Sequence, residues 1–169
     1  MTQYDPDAIY FYAQTEAYAE FSNFAPYGVA IDDVWWRTVE HYFQAQKFDD
    51  PTYRERIRGC TQPKQAKALG MTRALPIRAD WDDVRDEIMQ RAVTTKFATH
   101  AALAEMLLAT GNRQIVENAP MDYYWGCGAD GTGQNRLGLI LMAVRETLRH
   151  SAPIAAGHGG SKERDKGQK

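Results

Sequence analysis

Cysteine is scarce in this chain: Cys60 and Cys127 are its only two, and they form no C-x-x-C pair. A disulfide framework and a cysteine-built metal site are therefore both unsupported. No apolar run approaches the roughly 18 residues needed to span a bilayer. The opening "MTQYDPDAIYFY" also lacks the basic, apolar and small-residue succession of a signal peptide, so a cytoplasmic protein with no membrane association is expected. Positive charge is not in excess either, with 20 Lys and Arg against 22 Asp and Glu. That balance supplies no overall field to gather nucleic acid and leaves open only a local basic patch. No internal repeat is evident, and there is no G-K-[ST] to suggest a P-loop.

What is present describes one globular domain. A length of 169 residues, 44% of them hydrophobic, suffices for a sizeable core but is short for two domains. Short strands are expected at "IYFY" (9–12), "GVAI" (28–31) and "QIVEN" (114–118), and Asp32 and Asp33 suit a turn before "VWW". Thr38 can cap a helix running to about Phe48. Asp50-Pro51 then stops it and starts a second helix that fails near Gly59. A third helix lies in "TQPKQAKALG", capped by Thr61 and closed by Gly70.

The clearest long helix covers 80–100, where Trp81, Val84, Ile88, Ala92, Val93 and Phe97 recur at helical spacing. Another ends at Gly111, and the last runs from about Asn135 to Arg149. The expected fold is thus α+β, a compact and mostly helical domain over residues 1–150 with a few short strands. Residues 151–169, small, glycine-rich and charged, are expected to form a disordered tail.

Two stretches could carry chemistry. In "RTVEHYFQAQKF", Glu40, Gln44 and Lys47 fall on one helical stripe, because spacings of four and seven return to nearly the same direction. The stripe is pinched between Phe43 on one side and His41 and Phe48 on the other. It reads either as a solvated polar face or as the floor of a pocket. His41 has no partner at metal-ligand spacing and is expected to pack or hydrogen-bond.

The second stretch, "DYYWGCGADGTGQNRLG" (122–138), leads aromatics through glycines into a helix, where free amides could cradle a phosphate. Its ordinary alternative is a surface turn ending at Asn135. "GCGADG" matches G-x-G-x-x-G formally but lacks the βαβ context of a dinucleotide site. Trp81 and Trp125 could stack a base or pack the core, and Asp122 could be a second acid or a turn residue.

Taken in order, "FSNF", "EHYFQAQKF", "GMTR", "DYYWG" and "GQNRLG" resemble the motifs of the YbiA/NADAR family over about residues 9–149. The resemblance implies hydrolysis of a ribose C–N bond without metal or other cofactor. The implied substrate is ADP-ribose on a nucleobase, above all ADP-ribosyl-guanine in DNA, so that ADP-ribosylated DNA is the implied partner. Phosphorylated ribosylaminopyrimidine intermediates of riboflavin synthesis are the alternative, and a non-catalytic ADP-ribose or nucleotide reader is a third reading.

By motif, the resemblance implies that Glu40 is catalytic, with Asp122 as a second acid. It implies that Asn23, Lys47, Arg73, Trp81, Trp125, Gly126, Asn135 and Arg136 bind substrate. Related sequences often carry an acid directly after "WG", where this chain has Cys127, so no acid role transfers there. Arg37 stands where a proline is common before the Thr38 cap, and no role is assigned to it.

Overall fold

The computed structural model describes residues 3–12 and 17–151; the expected tail lies almost entirely outside them. Chain order runs β1 (Ile9–Phe11), β2 (Val29–Ile31), β3 (Val34–Trp36), α1 (Val39–Ala45), α2 (Pro51–Arg58), α3 (Pro63–Gly70), α4 (Trp81–Thr99), α5 (Ala101–Ala109), β4 (Ile115–Glu117) and α6 (Arg136–Ser151). The fold is α+β and mostly helical, as the sequence predicts. Among the described residues no helix is long and apolar enough to cross a membrane.

Local signals set many of the boundaries. Asp32 and Asp33 both take positive φ, 53° and 59°, the backbone of a tight hairpin turn that matches strand twist, and they join β2 to β3 in antiparallel register. Asp50 Oδ1 accepts the N–H groups of Thr52 and Tyr53 at 2.8 and 3.2 Å, capping α2 ahead of Pro51. Gly111, at φ 62°, follows α5 in the left-handed conformation that glycine adopts without strain.

Three expectations need correction. α1 stops at Ala45, because the chain tightens and the N–H groups of Lys47 and Phe48 reach back only three residues to Gln44 and Ala45. α3 is capped at Gln62, whose N–H bonds the Gln65 side chain at 3.1 Å, while the Thr61 hydroxyl is occupied by that same side-chain oxygen. α6 continues through Ser151.

Long-range pairing closes the fold. β1 lies parallel to β4, with Ile9 opposite Ile115, and this pair packs under α6. The main core gathers Phe11, Phe21, Val39, Phe43, Phe97, Leu107, Ile115, Leu137 and Leu141, all almost fully buried. Burying each such side chain stabilises by roughly 1.5–3 kcal/mol.

One residue breaks the pattern of α4. Lys96 is 1% exposed on its inner face and donates to the Glu20 and Ser22 carbonyls at 2.5 and 2.9 Å. Burial lowers its ammonium to about 7. The clamp ties α4 to the "FSNF" turn.

Candidate active site

That turn is where the site begins. The Asn23 carbonyl accepts the Glu40 N–H at 3.1 Å, docking "FSNF" on the first turn of α1. Thr38 caps the helix as predicted, with its hydroxyl oxygen accepting the His41 N–H at 3.4 Å. His41 is fully buried; its Nε2–H donates to the Cys60 carbonyl at 3.1 Å and its Nδ1 accepts from Thr38 at 2.8 Å. Both ring nitrogens are occupied, and burial lowers the imidazole's proton affinity, so His41 is a neutral brace.

The polar stripe is not a solvated face. Glu40 is 5% exposed and Gln44 4%, because the end of α3 lies across them. At Gly70 an added Cβ would fall 1.9 Å from the Gln44 side-chain oxygen, so only glycine allows this approach. Gln44 Nε2 donates to Glu40 Oε1 at 2.8 Å, and Lys47 Nζ donates to the Gly70 carbonyl at 3.2 Å.

Burial raises the Glu40 carboxyl, against the Gln44 hydrogen bond and the charges of Lys67 and Lys47, while Asp122 adds to the rise. Burial likewise lowers the Lys47 ammonium, against the pull of Glu40. Of the five buried side-chain atoms without a hydrogen-bond partner among the described residues, the two acceptors, Asn23 Oδ1 and Gln44 Oε1, belong to residues bonded to Glu40, while Trp36 Nε1, Arg85 Nε and Arg145 Nε are donors. An unpaired buried acceptor is costly, and a water or a bound ligand can complete its bonding.

Aromatic side chains form the walls. The Trp81 and Trp125 rings meet Phe43 at centroid distances of 5.0 and 5.3 Å, and Lys47 Nζ lies 5.8 Å from the centre of Trp81. Trp81 is almost buried and Trp125 half-buried, so each is both core and wall. Asp122 Oδ1 accepts the N–H groups of Tyr124 and Trp125 at 3.0 and 2.7 Å, which shapes the turn that presents Trp125. The turn is fastened to α4, where Tyr124 donates to Asp86 and the Arg85 guanidinium lies 3.8 Å from its ring centre.

The backbone amides that lead into α6 are not free to cradle a phosphate. The N–H groups of Gly133, Gln134, Asn135, Arg136 and Leu137 bond the carbonyls of Cys127, Tyr123, Gly126, Tyr124 and Trp125 respectively, so these amides are already committed. Asn135 likewise joins the loop to β4: its Nδ2 donates to the Ile115 carbonyl at 2.8 Å and its Oδ1 accepts the Glu117 N–H at 3.0 Å. Arg136 pairs with Asp86. Gly126 is buried and leaves no room for a side chain, since a Cβ there would meet Ala119 Cβ at 2.7 Å and the Glu117 carbonyl at 2.9 Å. Arg73 stands exposed in the 71–80 connection.

The structure thus gathers Asn23, Glu40, Lys47, Trp81, Asp122 and Trp125, and commits Asn135, Arg136 and Gly126 to the scaffold. Two members were not foreseen. Lys67 on α3 acts electrostatically on Glu40 and stands 5.7 Å from the Phe24 ring centre. Glu117, at the end of β4, is pushed up to about 8 by burial and by the neighbouring Asp122 and Glu40 carboxyls. Strand alternation places Glu117 on the same face as Ile115, and that was the available signal. Among the described residues, no group of three or more His, Cys, Asp and Glu side chains is arranged to hold a metal ion.

Comparison with known proteins adds to this geometry. The NADAR domain family model matches residues 10–149. The chain is 48% identical over 145 residues to an N-glycosidase of Nostoc punctiforme, covering 84% of this chain and 93% of that protein. It is 46% identical over 140 residues to the N-glycosidase YbiA of Escherichia coli, covering 83% and 88%. The NMR structure of the latter superposes with a TM-score of 0.79 at 44% identity, over 89% of this chain and 88% of that one. A riboflavin biosynthesis protein of Vibrio vulnificus is 41% identical over 145 residues, covering 86% of this chain but 40% of that longer protein.

Proposed function

From a chain that belongs to the NADAR domain family, we propose an N-glycosidase that hydrolyses a ribose C–N bond, with ADP-ribose carried on a nucleobase, ADP-ribosyl-guanine in DNA, as its substrate. The observation that carries the reading is Glu40, a carboxyl withdrawn from water beside two unpaired polar atoms and two lysines. Breaking the bond builds positive charge on the sugar. A carboxylate facing the anomeric carbon stabilises that charge and takes a proton from the attacking water. Unit charges about 4 Å apart attract by roughly 4 kcal/mol at an effective dielectric of 20, about a thousandfold in rate.

Lys47 and Lys67 supply cations for the substrate phosphates, and Asn23 Oδ1 supplies an acceptor for a sugar hydroxyl. The apolar rim favours the larger substrate: Met121 and Tyr123 stand exposed on either side of Asp122, offering surface to a nucleobase. The name of the Vibrio vulnificus relative supports a second reading, hydrolysis of a phosphorylated ribosylaminopyrimidine from riboflavin synthesis, which needs the same carboxylate.

Incubation with ADP-ribosylated guanine DNA and with the riboflavin intermediates, followed by mass spectrometry of released bases and ribose phosphates, separates the two. Release of ADP-ribose from the DNA is expected. Release from the pyrimidine alone selects the second reading, and binding without release from either makes the protein a reader and overturns both.

A further inference from the structure

Glu117 takes no part in the steps above, yet its placement is tightly determined. In β4, Ile115 faces the main core, Val116 faces the small cluster of Tyr4 and Cys127, and Glu117 turns back to the face of Ile115, which includes α1. Its backbone is held at both ends: the N–H donates to Asn135 Oδ1, and the carbonyl accepts the Cys127 N–H at 2.9 Å. The carboxyl is therefore delivered by a fixed strand end.

Three carboxyls meet at the site, from α1 (Glu40), β4 (Glu117) and the 118–125 turn (Asp122): Asp122 raises both Glu40 and Glu117, and Glu40 raises Glu117. Two of them accept hydrogen bonds: Glu40 from Gln44, and Asp122 from two backbone N–H groups. No donor among the described residues reaches the carboxyl of Glu117. Of the nearby cations, Lys47 and Lys67 both support a charged Glu40, whereas only Lys67 supports a charged Glu117. The Cys127 thiol also feels Glu117, and burial raises that thiol, which keeps it neutral. In such a cluster the proton resides on the member with the fewest donors and the most like-charged neighbours.

We propose that Glu117 is the general acid of this site, the catalytic residue whose proton goes to the departing base nitrogen. The assignment rests on the N-glycosidase reading above. As the C–N bond breaks, its electron pair goes to nitrogen, which takes the proton from the Glu117 carboxyl. Water oxygen bonds to the anomeric carbon and gives its proton to Glu40, and solvent returns that proton to Glu117. One water is consumed, and no oxidant or reductant is needed. The alkaline pKa suits the task, because a carboxyl held to about 8 still carries its proton at neutral pH.

The test compares wild type with E117Q on two substrate types. With a neutral base as leaving group, E117Q should lose about 10²–10⁴-fold in turnover, and the alkaline fall of the wild-type kcat/KM profile, expected near pH 8, should vanish. With nicotinamide mononucleotide, whose leaving nitrogen departs neutral without a proton, the loss should be far smaller. Equal losses on both substrates, or a retained alkaline fall, overturn the assignment.

A wild-type protein that cleaves no N-riboside overturns the N-glycosidase reading and this role with it. An active wild type matched by E117Q overturns this role alone. Carboxyl ¹³C NMR of the wild-type protein decides the matter independently of activity. A Glu117 midpoint near 8 is expected, and one in the ordinary carboxylate range overturns the proposal.

Discussion

Asn135 and Asn23 are both buried amides beside the first turn of a helix, α6 and α1 respectively, and the family resemblance alone gives them the same role. Their surroundings differ. Asn135 has both side-chain ends bonded to the β4 backbone, and the backbone amides from Gly133 to Leu137 are all taken. Asn23 gives its Nδ2 to the Met89 sulfur at 3.3 Å and leaves Oδ1 without a donor. The buried Gln44 oxygen beside Glu40 is likewise without a donor among the described residues. A buried acceptor left unpaired costs about 1–3 kcal/mol, so a fold retains one chiefly where something else binds. The region around Asn135 is bonded as scaffold, and on the proposed function the region around Asn23 is the receiving surface.

Replacing Glu40 with Gln tests the receiving surface most severely. The change keeps shape and removes charge, so turnover should fall about 10²–10⁴-fold while ligand affinity stays within about tenfold. Stability should move the other way. Glu40 is raised on folding, so its favourable contribution is present at low pH and is lost as pH rises past the ordinary carboxylate range. A neutral glutamine escapes that loss, and the Tm of the variant at pH 7 should equal or exceed that of the wild type. Steady-state kinetics and a melting curve are sufficient, and unchanged turnover would reduce the cleft to one more packed region.

Asn135→Ala tests the scaffold. It leaves the Ile115 carbonyl and the Glu117 N–H without partners, at about 1–3 kcal/mol each, so urea unfolding should show a loss of roughly 2–6 kcal/mol. Turnover, measured well below the melting transition, should fall less than tenfold. An intact Tm with a collapsed turnover would return Asn135 to the ligand-binding residues.

The sequence made the local half of this division legible. The Thr38 and Asp50 caps, the Asp32-Asp33 turn and the long α4 all depend on neighbours within a few residues, and all stand where expected. The pinched stripe of α1 was visible too, though its burial was not, because α3 lies across it and Gly70 makes that approach possible. What escaped depends on distant chain. Lys96 falls on the buried face of α4 by period, but only the Glu20 and Ser22 carbonyls make that position tolerable for a lysine. Glu117 joins the site through a parallel pairing of β4 with β1, more than 100 residues away. The glycines of 126–133 suggest free amides, yet the carbonyls that occupy the loop amides come from the loop's own aromatic half.

Asn23→Ala is the gentlest of the three substitutions and the most discriminating. It removes an amide whose only side-chain partner among the described residues is a thioether, a weak acceptor, so stability should change by less than about 1 kcal/mol. Deleting the unpaired oxygen relieves a cost in the empty protein and withdraws an acceptor from the bound sugar, so the loss should fall on ligand binding alone. Affinity for ADP-ribose, measured by calorimetry, should weaken about fivefold to tenfold, which is roughly 1–1.4 kcal/mol. Should Asn23→Ala destabilise the fold as much as Asn135→Ala while leaving affinity intact, the two asparagines would be equivalent, and hydrogen-bond completeness would not separate scaffold from site in this protein.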